Sequence, residues 1–357
     1  MPLVSNTALP TFDRLRNLGQ EVLSLDEALR QDIRELHVGL LNMMPDAALQ
    51  VTEQQFMRLV GNSNQIAQFY IHPFSIPGLP RSDKTQAYID NFYNTFEQVK
   101  DEGLDALVIT GANVANPTLD QEPFWEPLNE VISWATEHVT SVLCSCLSSH
   151  ALFQSLYGVN RQRLPRKRWG VFPHRIAYKG HPLLRGINTR FDVVHSRYNA
   201  VLSEQLEEAG IPILVDSERA GVHMAVSPDH FRIVYFQGHP EYDHNSLLKE
   251  FKREVLRFIA KERPDYPPYP ENYFSTELIH LLDKYGRSVM RAVRENSDAP
   301  EFPEEEINAQ LDNTWGDTGK AIFNNWLGLV YRLTNLDRKR PFCEGIDPND
   351  PLGLRST

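Results

Sequence analysis

The sequence predicts an α/β protein: a doubly wound, mostly parallel sheet with a helical C-terminal extension. Short apolar runs alternate with segments of helical spacing along most of the chain, the pattern of strand–crossover–strand units. Three of those runs stop at Gly111, Cys146 and His239, at the strand ends where open sheets of this kind take their ligands. A stretch at 261–270 is too rich in proline for a helix or a central strand and closes the pattern.

The elements come in order. After a polar lead-in over 1–31, residues 36–42 read as a strand and 52–60 as a helix with Thr52 at its cap. A strand is expected over 66–71, a helix over 88–99 and a strand over 105–110 that runs out into Gly111. A helix at 124–137 leads to the strand 139–145, the elbow at Cys146 and a helix over 147–156. Runs at 213–217 and 231–237 read as strands; the second breaks at the turn Gly238-His-Pro-Glu-Tyr-Asp243, and a helix over 246–261 comes next. This gives a catalytic core at 32–265 and an extension at 266–357. The extension comprises a helix over 276–295, an acidic link over 297–306 and an amphipathic stretch over 318–333, taken with Trp315, Trp326 and Tyr331. It is expected to pack on the core or on a second subunit, and the tail after Asn335 to be loose.

Composition narrows the function. A chain of 357 residues with 41% hydrophobic content holds a sizeable core. Its formal charge of -11 disfavours nucleic acid and anionic membranes as partners. No leader-like N-terminus and no long apolar span is present, so a cytoplasmic protein is expected. Cys144, Cys146 and Cys343 cannot all pair, which favours a reduced compartment. The chain has no Gly-rich dinucleotide or P-loop signature and no second Cys/His cluster beside Cys144-Ser-Cys146, so neither a resident cofactor nor a metal is expected.

Cys146 lies on a tight strand-to-helix elbow, where the opening amides of the helix favour a thiolate. A lone cysteine there is more often a small core residue. His239 and Glu241, at the end of a separate strand, change that balance: with one residue between them, the carboxylate can fix the imidazole while the imidazole moves a proton. Cys144, two residues before Cys146, reads as core packing. The run 161–168 is the one dense basic block, suited to a phosphate or carboxylate ligand or to a solvated loop. Ser196 and Arg197, after an expected strand, are candidates for polar groups of a substrate.

With these residues in view, the chain resembles the homoserine O-succinyltransferase family, transacylases with a class I glutamine amidotransferase-like, flavodoxin-like fold. The resemblance runs from about Asp32 to Thr334. It is carried by Leu41-Asn-Met-Met-Pro45, Thr52-Glu-Gln-Gln-Phe56, Thr110-Gly-Ala112, the Cys146 elbow, Gly170-Val-Phe172, His195-Ser-Arg197, Gly238-His-Pro-Glu-Tyr-Asp243, Pro270-Glu-Asn-Tyr-Phe274 and Asn324-Asn-Trp-Leu327. The resemblance implies that Cys146 is the acyl-accepting nucleophile, His239 the base and Glu241 its partner, with amides near Leu147 and Gly111 binding the oxyanion. Lys167, Ser196 and Arg253 fall where the family contacts substrate, and Glu250 in the same motif. Three departures stand out: Leu147-Ser-Ser-His-Ala151 after the nucleophile, Asp46-Ala-Ala-Leu-Gln-Val51 as a longer insertion before Thr52, and Thr110-Gly-Ala-Asn-Val-Ala115. The position of Ala115 tends to be Gly in succinyl-specific members and Glu in acetyl-specific ones; a small neutral alanine leaves room for a succinyl carboxylate.

The function implied is a ping-pong transfer of succinyl from succinyl-CoA to the hydroxyl of L-homoserine in methionine biosynthesis, in a homodimer, with acyl-CoA as co-substrate and no permanently bound cofactor. Acetyl-CoA as donor and L-serine as acceptor stay open. So do a cysteine hydrolase or glutaminase of the same fold, and a non-catalytic binding protein.

Overall fold

The computed structural model describes residues 3–63 and 67–355. In chain order the elements are β1 (Leu3–Ser5), α1 (Pro10–Asn17), β2 (Val22–Ser24), α2 (Leu25–Leu29), β3 (Glu35–Leu41), α3 (Asp46–Gly61), β4 (Gln68–Phe74), α4 (Asp83–Phe92), α5 (Phe96–Glu102), β5 (Ala106–Ile109), α6 (Trp125–His138), β6 (Ser141–Ser145) and α7 (Leu147–Tyr157). They continue as β7 (Gln162–Ile176), β8 (Arg190–Ala200), α8 (Ser203–Glu208), β9 (Ile213–Asp216), β10 (Met224–Val226), β11 (Ile233–Phe236), α9 (Ser246–Ile259), α10 (Thr276–Glu295), α11 (Glu304–Asn308) and α12 (Gly316–Leu333). The strands make one sheet in the order β2-β1-β4-β3-β5-β6-β11-β10-β9-β7-β8. Every pairing from β2 to β11 is parallel, and every pairing from β11 to β8 is antiparallel. The expected doubly wound, mostly parallel sheet is therefore present, with an antiparallel wing. Among the described residues no helix is long and apolar enough to cross a membrane.

Strand periodicity sorts the core into two layers. Val38, Val108, Leu143 and Val234 pack with Phe56 of α3 and Phe323 and Trp326 of α12 on one face. Leu107, Ile109, Val142, Cys144 and Tyr235 pack with Val131, Ile132 and Phe153 of α6 and α7 on the other. Buried on both faces, these strands read as continuous apolar runs, and this is why the sequence reveals them. A third cluster joins α9 and α10 to Trp169, Val171 and Val194 of the β7–β8 hairpin. The extension thus packs on the core of its own chain.

Several expected elements differ. Residues 46–51 form the first turns of α3 and are no loop, so Thr52 lies inside the helix and Pro45 precedes it. The helix expected at 88–99 is two helices: Tyr93 is extended, and Thr95 with Gln98 forms a capping box that starts α5 afresh. The strand expected from Ile66 is described from Gln68 onward; Ile66 lies outside the described residues. The lead-in carries β1 and β2 at the sheet edge, and α1 buries Phe12 and Leu15. The tail after Asn335 is tied down: Phe342 is buried in the core, and Arg338 donates to His37 Nε2 at 2.8 Å. The basic run belongs to β7, and Ser196 and Arg197 lie within β8 and do not follow it.

Gly170 fixes the wing to the segment before α10. Its φ is +145°, and a Cβ there would stand 2.2 Å from the Glu271 carbonyl oxygen and 2.5 Å from its nitrogen. Gly170→Ala should therefore cost about 3 kcal/mol or more, because the obstacle is backbone and cannot rotate away. A urea midpoint equal to wild type would contradict this.

Candidate active site

The parallel strands β6 and β11 are neighbours, with Phe236 paired to Ser145, so the residues just beyond them emerge side by side. Cys146 has φ +55°, unusual for a residue with a side chain, and its N–H donates to Phe236 O at 2.7 Å. The sharp elbow lifts the sulfur off the strand line and opens α7 directly behind it. Ser148 and Ser149 hold the elbow by donating to Ile109 O at 2.8 Å and to Phe236 O at 2.9 Å. Gly111 sits close by; a Cβ on it would be 3.8 Å from Cys146 Cβ. Cys144 is fully buried and burial pushes its thiol up, which leaves the half-buried Cys146 as the accessible thiol of the pair.

His239 follows Gly238, where a Cβ would meet Val193 at 2.6 Å and the Val194 oxygen at 2.8 Å. That close approach lets His239 N–H donate to Val194 O at 2.8 Å. Its Nδ1 meets Glu241 Oε1 at 2.8 Å, and Ser145 Oγ donates to the same oxygen at 3.3 Å. Nδ1 therefore carries a proton toward the carboxylate, leaving the buried Nε2 to Cys146. Burial alone would lower the imidazole, yet the charges of Glu241 and Cys146 outweigh it and hold His239 well above its ordinary value. Tyr242 stacks on the ring at 4.2 Å between centroids. Arg58 of α3 pairs with Asp243, and Gln55 donates to Asp243 Oδ2 at 3.2 Å, so the turn is clamped from the opposite layer.

Tyr242 also leads to a second cluster. Glu250 of α9 accepts from Tyr242 Oη at 2.8 Å, Ser196 Oγ at 2.7 Å and Lys167 Nζ at 2.9 Å. Burial would raise this carboxyl, but Lys167 and the two hydroxyls hold it below its ordinary value. Lys167, Ser196 and Glu250 are thus brought together behind the His239 ring. Arg253 is not part of this group: its side chain is 61% exposed and its contact is Glu254 at 3.6 Å. Ala115 is exposed on the loop after β5, and Glu122 Oε1 accepts its N–H at 2.8 Å. Arg161, in sequence only one member of a basic run, is half-buried; burial lowers its guanidinium, and the charges of Glu122 and Cys146 act in the opposite sense.

Arg197 is buried and satisfied by protein groups. It donates to His195 Nδ1 at 3.2 Å, Gln237 Oε1 at 3.2 Å, Asn199 O at 3.1 Å and Ala220 O at 2.6 Å. Because His195 Nδ1 accepts, its Nε2 carries the proton and donates to His174 Nε2 at 3.1 Å, and His174 Nδ1 donates to Phe172 O at 2.8 Å. His150, the departure after the nucleophile, meets Gln237 Oε1 at 2.9 Å and belongs to the same framework.

Burial pushes His150 down to about 3, His174 to about 4, and His195 and His223 well below the ordinary value. Unfolded histidine titrates near 6.5, so as pH falls below that the unfolded chain takes up protons that the folded chain refuses. Stability should fall by about 1.4 kcal/mol per pH unit for each of these four, down to their folded values. His239, raised, acts in the opposite sense: its contribution is complete below 6.5 and is lost as pH rises through its folded value. A urea midpoint that does not drop between pH 7.5 and 5 would contradict the net expectation.

Among the described residues no group of three or more His, Cys, Asp or Glu is placed to hold a metal ion. The chemistry on offer is a thiol, a base with one free nitrogen and an orienting carboxylate, the set needed for acyl transfer through a thioester.

A family model described as homoserine O-succinyltransferase matches residues 2–336. Proteins named homoserine O-succinyltransferase from Methylococcus capsulatus and Methylobacter tundripaludum are each 59% identical over 354 residues, covering 99% of this chain and 100% of theirs. One of the same name from Nitrosococcus oceani is 58% identical over 355 residues, covering 99% of both chains. A glutamine amidotransferase structure from Thermotoga maritima covers 84% of this chain and 98% of its own at 11% identity, with a TM-score of 0.43. The chain belongs to the homoserine O-succinyltransferase family and is an O-acyltransferase.

Proposed function

We propose that the protein moves a succinyl group from succinyl-CoA to the hydroxyl of L-homoserine, a step of methionine biosynthesis, through a thioester on Cys146. The observation that carries this is the placement of His239 between two partners, with Glu241 on Nδ1 and the Cys146 thiol coupled to the same imidazole. In the first half-reaction the Cys146 thiolate attacks the acyl carbon, the bond to the CoA sulfur breaks, and the departing thiolate takes a proton from His239. In the second, the acceptor hydroxyl gives its proton to His239 Nε2 as its oxygen attacks the thioester, and the Cys146 thiolate is restored. The Leu147 and Gly111 amides receive the oxyanion of each tetrahedral intermediate, a contribution of about 3 kcal/mol per donor. Lys167, Ser196 and Glu250 are the polar groups for the amino-acid acceptor, and Ala115 leaves the donor side open to a carboxylate. Arg253, although assigned a substrate contact by resemblance, would have to swing inward to serve.

The working protein is a cytoplasmic homodimer with no resident cofactor. Steady-state rates over a grid of succinyl-CoA or acetyl-CoA against L-homoserine or L-serine test the reading. Parallel double-reciprocal lines with succinyl-CoA and L-homoserine as the preferred pair are expected. A preference for acetyl-CoA or L-serine would overturn the assigned specificity, and glutamine hydrolysis without acyl transfer would overturn the reaction.

A further inference from the structure

A groove of about 700 Å³ opens on the antiparallel wing, between the β7–β8 hairpin and the loop after β9. Arg168, Arg175, Arg190 and Arg219 line it together with the carboxylates Glu204, Asp216 and Glu218. Arg175 and Arg190 are direct partners across β7 and β8, so their side chains leave the same face of the hairpin at adjacent points. Like charges so placed repel and cost stability. Asp216 of β9 stands opposite Arg175 on its other side, yet among the described residues no ion pair or hydrogen bond joins either guanidinium to it or to the other two carboxylates of the cavity. Arg168 Nε is buried and lacks a partner as well. Arg219, by contrast, is held by Glu271 at 3.0 Å.

An acidic chain thus keeps two opposed guanidinium groups without a bonded partner in a concave site. Guanidinium forks match phosphate oxygens two bonds at a time, and one bridging anion would turn the repulsion into attraction. The carboxylates suit donor groups on the same ligand, the hydroxyls of a ribose or an exocyclic amine. A nucleotide carries both kinds of group, whereas inorganic phosphate carries one. The chain also has no Gly-rich phosphate cradle, so phosphates must be met by side chains. The wall of the groove is joined to the active site. Ala220 O accepts from Arg197, and Val201 exchanges hydrogen bonds of 2.8 and 2.9 Å with Gln237, two residues before His239.

We propose that this groove binds the phosphorylated nucleotide end of the acyl donor, with Arg175 and Arg190 as the phosphate clamp. The assignment rests on the reading that the donor is an acyl-CoA. The test compares wild type with the double variant Arg175→Ala/Arg190→Ala, using succinyl-CoA and succinyl-pantetheine, which presents the same thioester without the nucleotide. The KM for succinyl-CoA should rise tenfold or more, with kcat for both donors and KM for succinyl-pantetheine unchanged. Equal effects on the two donors, or no effect on either, would overturn the role in donor binding. Should wild type use neither these donors nor acetyl-CoA, the acyl-CoA reading itself fails. Calorimetric titration with ADP then judges the groove: binding lost in the double variant supports a nucleotide site, and binding absent from wild type or retained in the variant removes it. ADP binding that the double variant abolishes while the ratio of the two donors' KM values stays the same makes this a site for a free nucleotide and overturns the role in donor binding.

Discussion

Cys146→Ala should form no acyl-enzyme and should lose on the order of 10⁴-fold or more in transfer rate, with the fold intact. Loss on that scale is expected because the residues around the elbow position one sulfur and offer no substitute: Ser145 Oγ is turned to Glu241, Ser148 Oγ to Ile109 O and Ser149 Oγ to Phe236 O. Cys144 cannot replace it, since it is fully buried and its thiol is pushed up. Intact-mass spectrometry after mixing with succinyl-CoA reads the first effect, and single-turnover transfer reads the second. An adduct of wild-type stoichiometry in Cys146→Ala would remove the nucleophile from the scheme.

His239→Ala should slow discharge of the acyl-enzyme to the acceptor by roughly 10²- to 10⁴-fold. Glu241→Gln has a distinguishable signature. In the acyl-enzyme the thiolate charge is gone, so burial pulls the imidazole down and Glu241 alone opposes it. Replacing the carboxylate lowers the imidazole further, and a base that must be neutral to act becomes neutral at lower pH. The acid limb of the discharge rate should therefore move to lower pH while the plateau falls, because the imidazolium formed in the transition state loses its counter-charge. An unshifted limb in Glu241→Gln, or an unchanged rate in His239→Ala, would contradict these roles.

The residues that reveal themselves in the sequence are those next to buried parallel strands. β3, β5, β6 and β11 are apolar on both faces, and Gly111, Cys146 and His239 stand just past the ends of three of them. The hairpin of β7 and β8 is hidden for the opposite reason. Its first half, the basic run, extends past the core, is largely exposed and carries a register irregularity between Arg163 and Arg168, so neither burial nor alternation marks it as a strand. Arg197 looks like a ligand-binding cation because nothing local shows that Ala220 O, Asn199 O, His195 and Gln237 will satisfy it inside the protein. Tyr242 stands in its motif with no local sign of a role. The stacking on His239 and the bond to Glu250 exist only once α9 folds back against the turn. Arg253, carried over by resemblance, shows the converse: nothing local tells that its place on α9 leaves the side chain toward solvent, beside Glu254. The tail docks through scattered residues that form no periodic pattern: Phe342, Ile346 and Leu352 against the core and Arg338 on His37.

In the proposed mechanism one sulfur carries the acyl group between donor and acceptor, and the most direct test is chemical mapping of the trapped intermediate. The protein is mixed with succinyl-CoA in the absence of acceptor, quenched in acid, digested and sequenced by mass spectrometry. A single succinyl group on Cys146, discharged when L-homoserine is added before the quench, is the expected result. A succinyl group on another residue, or transfer to L-homoserine with no covalent intermediate at any time point, would contradict it.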